Sequence, residues 1–139
     1  MITIYVPSVP VAQPRPRATV RGNHATVYHA AGPVDAFKAS VRMAASSEYD
    51  GPPLTGPLCV NIVFVLPRPK RLIWKKRPMP REWHASKPDR DNLDKAVLDA
   101  LSGLLWVDDC QVCDGRIQKY IASGDEQPHV SIRITELSE

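Results

Sequence analysis

An α+β domain is predicted: a mixed β-sheet of about four main strands, with two helices packed on one face. Three observations carry this. Two stretches repeat apolar residues at helical spacing, one opening at Gly32-Pro33 and one at Asn92. Three others, Ile2–Val6, Pro57–Leu66 and His129–Thr135, follow the period of two that a pleated strand imposes. Between them runs a proline-rich, basic segment with no period at all.

Ile2-Thr3-Ile4-Tyr5-Val6 alternates and reads as a first strand ended by Pro7. The prolines from Pro10 to Pro16 exclude a central strand there. Arg17-Ala18-Thr19-Val20 and Ala25-Thr26-Val27-Tyr28 flank the turn signal Gly22-Asn23, so a small basic β-hairpin is expected. It is either a solvated ribbon or a basic arm. Pro33 suits a helix's first turn, and Val34, Phe37, Val41, Ala44 and Ala45 form one apolar stripe, with Lys38 and Arg42 on another side. Asp50-Gly51-Pro52-Pro53 stops that helix. From Leu58 to Leu66 both faces are largely apolar, which marks a central strand. Gln111 to Ala122 reads as one strand, Ser123 to Glu126 as a turn, and His129 to Thr135 as a last strand pairing with its predecessor in a hairpin. No internal repeat is present, and the acidic end from Glu136 is expected to fray.

At 139 residues the chain is long enough for one core, so residues 1–139 are expected to form a single domain. Hydrophobic content of 43% and charged content of 24% are ordinary for a globular protein. No apolar run reaches membrane-spanning length, and no charged-then-apolar leader begins the chain; a cytoplasmic location is the expectation, without a membrane partner. Three cysteines give no disulfide framework. Cys110-Gln111-Val112-Cys113 lacks a second ligand pair at finger spacing, and strand periodicity turns the two thiols apart. They read as structural.

The net charge of +3 says little, but its distribution says more. Residues 67–87 hold Arg68, Lys70, Arg71, Lys75, Lys76, Arg77, Arg81 and Lys87, against the single acid Glu82. Trp74 and Trp83 are interleaved with them. Phosphate contact combined with base stacking requires that mixture; a solvated loop, or aromatic packing on a second subunit, is the alternative.

The stretch from Lys87 to Asp109 carries the chemistry. Pro88 disfavours helix at Lys87, leaving Asp89 on a turn or extended segment. Leu93, Ala96, Val97, Ala100, Leu101 and Leu104 then define one buried stripe of a helix ending at Ser102-Gly103. Asp91, the expected N-cap, Lys95 and Asp99 occupy the other face at i, i+4 spacing. Ordinary capping and ion pairing would account for those three. They would not account for Leu104-Leu105-Trp106-Val107, too apolar for a surface loop, delivering a second acid pair, Asp108-Asp109, back toward the helix. Carboxylates gathered without matching cations need a hard divalent ion, Mg²⁺ or Mn²⁺ as its substitute, with Lys95 at the rim to meet a phosphate oxygen. That is an acid-cluster phosphodiesterase site.

The run Asp89-x-Asp91-Asn92-Leu93-x-Lys95-Ala96-x-x-Asp99-Ala100-Leu101, followed by Trp106-x-Asp108-Asp109-x-Gln111-Val112, resembles the signature of RusA-type Holliday junction resolvases. His84-x-x-Lys87-Pro88-Asp89 and Arg15-Pro16-Arg17 also look like elements of that family. The resemblance implies a small homodimeric endodeoxyribonuclease of bacteria or phages, acting on four-way DNA junctions without a small-molecule cofactor. It implies Asp89, Asp91 and Asp109 as metal-binding catalytic acids, Asp108 in reserve, and Lys95 on the scissile or adjacent phosphate. Asp94 stands where that family varies. Arg15, Arg17, Arg21, Lys75, Lys76, Arg77, Lys87 and Lys119 join Lys95 as the expected DNA contacts. A structure-selective nuclease for forks or flaps, and a non-catalytic DNA-binding module, remain as alternatives.

Overall fold

The structure, a computed structural model, describes residues 1–14, 17–21, 24–28 and 32–138, with the backbone alone for 17–21 and 24–28. In chain order come β1 (Ile2–Val6), β2 (Arg17–Arg21), β3 (His24–Tyr28), α1 (Pro33–Glu48), β4 (Leu58–Leu66), β5 (Glu82–Trp83), α2 (Arg90–Leu101), β6 (Val112–Asp114), β7 (Ile117–Ile121) and β8 (His129–Glu136). The fold is α+β, as predicted. One mixed sheet has the order β1-β8-β4-β7-β5, with β6 also pairing on β4. β2 and β3 pair separately, in register from Arg17↔Tyr28 to Arg21↔His24. The expected turn at Gly22-Asn23, residue Arg15 and the side chains of Arg17 and Arg21 lie outside the described residues.

β4 is central because both of its edges are taken. β8 runs antiparallel on one side, and β7 runs parallel on the other. A parallel neighbour demands a crossover, and α2 lies within the connection from β4 to β7. This overturns the predicted hairpin: β8 follows β7 in sequence, yet β4 stands between them. The single strand expected over Gln111–Ala122 is also broken. Gln111 ends a 3₁₀ turn, and Gly115 with Arg116 separates β6 from β7. Gly115 has φ +148°, and a Cβ there would sit 1.9 Å from the carbonyl oxygen of Val60, so only glycine lets the chain pass this close to β4.

Helix α2 starts earlier than predicted. Asp89, not Asp91, occupies the N-cap, with extended backbone angles and a carbonyl that accepts from the Leu93 amide at 3.2 Å. Asp91 falls in the first turn, where its charge favours the helix dipole. Leu93, Ala96, Val97, Ala100 and Leu101 are buried, as periodicity required, while Leu104, counted in the same stripe, lies past the helix end and is half-buried. It meets Val34, Phe37, Val41 and Ala45 of α1 in one core with Leu58, Val60, Ile62, Phe64 and Leu66 of β4. Two polar contacts lock the helices together: Lys38 Nζ lies 3.5 Å from Asp99, and Arg42 Nε donates to the Ala100 carbonyl at 3.2 Å. Asp99 is therefore paired across the helices rather than along its own.

The basic segment is tied down at its base. The Arg68 guanidinium, 5% exposed at its side chain, donates to the carbonyls of Leu72, Pro80 and Ala122 and to Glu82. Arg81 pairs with Glu126, which holds that carboxyl below its usual range. All three cysteines are free thiols, with Cys110 and Cys113 exposed.

Phe64 is completely buried at the centre of β4. Phe64→Ala is expected to lower unfolding stability by about 3–5 kcal/mol. The 73% exposed Met43 should change by less than about 0.5 kcal/mol on replacement by alanine. Urea unfolding of both variants measures the contrast.

Candidate active site

The candidate acids lie on three segments: the turn entering α2, the exposed face of α2, and the loop after the apolar segment that leaves it. Gly103, with φ +85°, reverses the chain after α2. Leu105 and Trp106 then plunge into the core at 0% exposure. The Leu54 amide donates to the Leu105 carbonyl at 2.8 Å, and Val107 returns a bond to Leu54. A buried indole N–H needs an acceptor. Trp106 Nε1 finds Asp109 Oδ1 at 2.8 Å, so the core itself anchors this carboxylate.

Its neighbour Asp108 is occupied locally. Asp108 caps the 3₁₀ turn by accepting from the Cys110 amide at 3.0 Å. Gln111 answers with Oε1, which accepts from the amides of Val107 and Asp108, while its Nε2 donates to the carbonyls of Leu54 and Gly56. Asp108 and Gln111 thus make a reciprocal capping box, and the loop presenting Asp109 is fixed at both ends.

On α2 the acid that senses Asp109 is Asp94. Burial, and then the negative charge of Asp109, push its carboxyl above the usual aspartate range, against a smaller opposing pull from Arg90. Asp94 was the acid that sequence reasoning left without a role; the signal that could have found it is its position one helical turn beyond Asp91. Asp89 and Asp91 are exposed at the head of the helix. A cavity of about 610 Å³ opens there, lined by Lys87, Pro88, Asp89 and Asn92. The Asn92 carbonyl accepts from the amide of Gln13, so the N-terminal segment borders the same opening. Lys95 is exposed on α2 and makes no ion pair among the described residues.

Among the described residues no three His, Cys, Asp or Glu side chains stand close enough to hold one ion. The donors nonetheless fit a hard cation by their chemistry. They are all carboxylate oxygens, and the charge of Asp109 that raises the Asp94 carboxyl is what a divalent ion would relieve.

The expected DNA contacts divide. Lys75, Lys76, Arg77 and Lys87 are exposed. Arg77 also covers Trp74 at 4.0 Å, with Arg68 at 5.0 Å, so Trp74 is already a cation–π partner. Trp83 is 65% exposed and stacks one face on Tyr120 at 4.5 Å. Lys119 is turned inward: its Nζ donates to the carbonyls of Ser86 at 2.7 Å and Pro88 at 2.6 Å. No helix among the described residues is long and apolar enough to cross a membrane.

The chain is a member of the RusA family: the family model described as Endodeoxyribonuclease RusA matches residues 7–135. It is also similar to uncharacterized protein YqaN of Bacillus subtilis (strain 168), 33% identical over 143 residues, covering 98% of this chain and 95% of that protein.

The Asp94 shift has a testable sign. Its folded value lies above the unfolded one, so ionised Asp94 costs stability at neutral pH, and the cost fades as pH falls through the raised value. Without added metal, Asp94→Asn should raise the melting temperature at pH 7. Calorimetry should find the gain vanishing near pH 3. A variant that melts lower than the parent at pH 7 would contradict this electrostatic picture.

Proposed function

We propose that the protein is a Mg²⁺-dependent endodeoxyribonuclease that resolves four-way DNA junctions as a homodimer. The observation that carries this is the electrostatic coupling of Asp94 on α2 to Asp109, in a chain whose family is one of endodeoxyribonucleases. Preference for the junction over other branched DNA rests on the family resemblance.

Asp89, Asp91 and Asp109 would hold the cation, with Asp108 in reserve behind its capping role. When bound, a divalent ion supplies an activated water and a Lewis acid for the departing 3′ oxygen. Asp109 keeps its orientation through Trp106. Lys95, exposed beside Asp91, stabilises the charge that gathers on the phosphoryl oxygens during in-line attack. Lys75, Lys76, Arg77 and Lys87 carry the backbone contacts, together with Arg15, Arg17 and Arg21 of the N-terminal arm. Binding should therefore weaken steeply with salt. A junction is nearly two-fold symmetric, and an isologous dimer would set two equivalent sites on opposing strands; the exposed Trp83 and the sheet edge are its candidate contacts.

A synthetic four-way junction incubated with Mg²⁺ or with chelator tests the reading. Paired, Mg²⁺-dependent incisions are expected. Asp91→Asn should slow them by about 10³-fold, the rate equivalent of about 4 kcal/mol, while junction binding survives. Absence of Mg²⁺-dependent cutting would make the protein a DNA-binding module, and equal cutting of linear duplex would remove the junction.

A further inference from the structure

Lys119 sits on β7, yet it acts on the segment that leads into α2. Its own carbonyl accepts from the His84 amide at 3.1 Å, extending the β5–β7 pairing by one residue. Its ammonium then reaches the carbonyls of Ser86 at 2.7 Å and Pro88 at 2.6 Å. One residue thus grips alternate positions 84, 86 and 88, and the next residue is Asp89, the N-cap of α2. Among the described residues no carboxylate lies within ion-pair distance of this ammonium, which is half-buried. Charge-assisted bonds to two carbonyls are what offset its desolvation. The His84 ring lies beside it, its Nδ1 buried with no hydrogen-bond partner among the described residues, and burial followed by the Lys119 charge lowers its proton affinity.

We infer that Lys119 is a positioning residue, which fixes the Ser86–Asp89 turn and so aims the Asp89 carboxylate, rather than a ligand of DNA phosphate. The inference rests on the nuclease reading for what Asp89 does, but not for the geometry. An ammonium has three N–H donors, and two are committed here to backbone. Losing them frees the turn, and a displacement of about 1 Å at a reacting centre costs on the order of 100-fold in rate. A phosphate contact would behave otherwise: its loss weakens binding across all sequences and lowers the salt slope by about one unit.

The test compares Lys119→Met, which keeps the stem and removes the donors, with Lys119→Arg, which restores donors to both carbonyls. Junction affinity across a salt series, single-turnover cleavage in Mg²⁺, and Mn²⁺ affinity by calorimetry are measured for each. The expected result for Lys119→Met is an unchanged salt slope, cleavage slower by 10- to 100-fold, and Mn²⁺ bound about tenfold more weakly. Partial recovery is expected for Lys119→Arg. Should Lys119→Met fail to fold, Lys119→Gln, which removes the charge and shortens the reach by one bond, takes its place under the same criteria. A salt slope reduced by one with a normal maximal rate would make Lys119 a phosphate ligand and overturn the inference. Unchanged cleavage and unchanged Mn²⁺ affinity would overturn it as well. If the parent protein cuts no branched DNA, the nuclease reading falls while this inference is decided by Mn²⁺ affinity alone: tenfold weaker binding sustains it, and equal binding ends it.

Discussion

The hydrogen bond from the Trp106 indole to Asp109 joins the two halves of this molecule, its hydrophobic core and its acidic surface. A tryptophan with no exposed area cannot turn without opening the core around it. Its single N–H donor therefore points in one fixed direction. Whatever accepts that bond inherits the rigidity of the interior. Asp109 accepts it, and the loop on either side is clamped by the Asp108–Gln111 capping box. A carboxylate built on a rigid base, facing another carboxylate on a helix, is a strained electrostatic arrangement. Perturbed carboxylates of this kind cluster at functional sites.

Cationic residues divide into two kinds. Arg68, Arg81, Lys38 and Lys119 are committed to the fold, each bonded to carbonyls or a carboxylate. Lys75, Lys76, Arg77, Lys87 and Lys95 are exposed and available to a polyanion. This split follows from geometry rather than composition. The long segment from Pro67 to Lys87 has no periodic apolar face to hold it, so buried guanidinium bonds to Leu72, Pro80 and Ala122 do the work that packing does elsewhere. The exposed cations of the same segment are carried on a frame that its buried ones maintain.

Much of this was legible in the sequence. Helical periodicity located both helices and named their buried residues, because a stripe such as Leu93-Ala96-Val97-Ala100-Leu101 has one physical solution. The central position of β4 followed from its two apolar faces. Less legible were the features set by distant partners. Gly115 breaks the strand after Gln111 because the Val60 carbonyl lies against it, which no local pattern encodes. β8 leaves β7 for β4 because the sheet is mixed, and strand adjacency in sequence cannot report that. At the site, residue types and spacing marked Asp89, Asp91 and the Asp108-Asp109 pair, and the family resemblance singled out Asp109 from that pair. The anchoring of Asp109 by Trp106, the coupling of Asp94 to Asp109, and the inward turn of Lys119 all depend on contacts between segments, and appear only once the chain is folded.

The proposed function requires the acids of α2 and the anchored Asp109 to share one cation. The Trp106 indole proton, bonded to Asp109, reports on that directly. In a Mg²⁺ titration followed by ¹⁵N–¹H correlation spectroscopy, its resonance is expected to shift and saturate in the parent protein, and to stay fixed in Asp91→Asn. An indole signal that stays fixed in the parent at millimolar Mg²⁺, or moves equally in both proteins, would contradict the shared site.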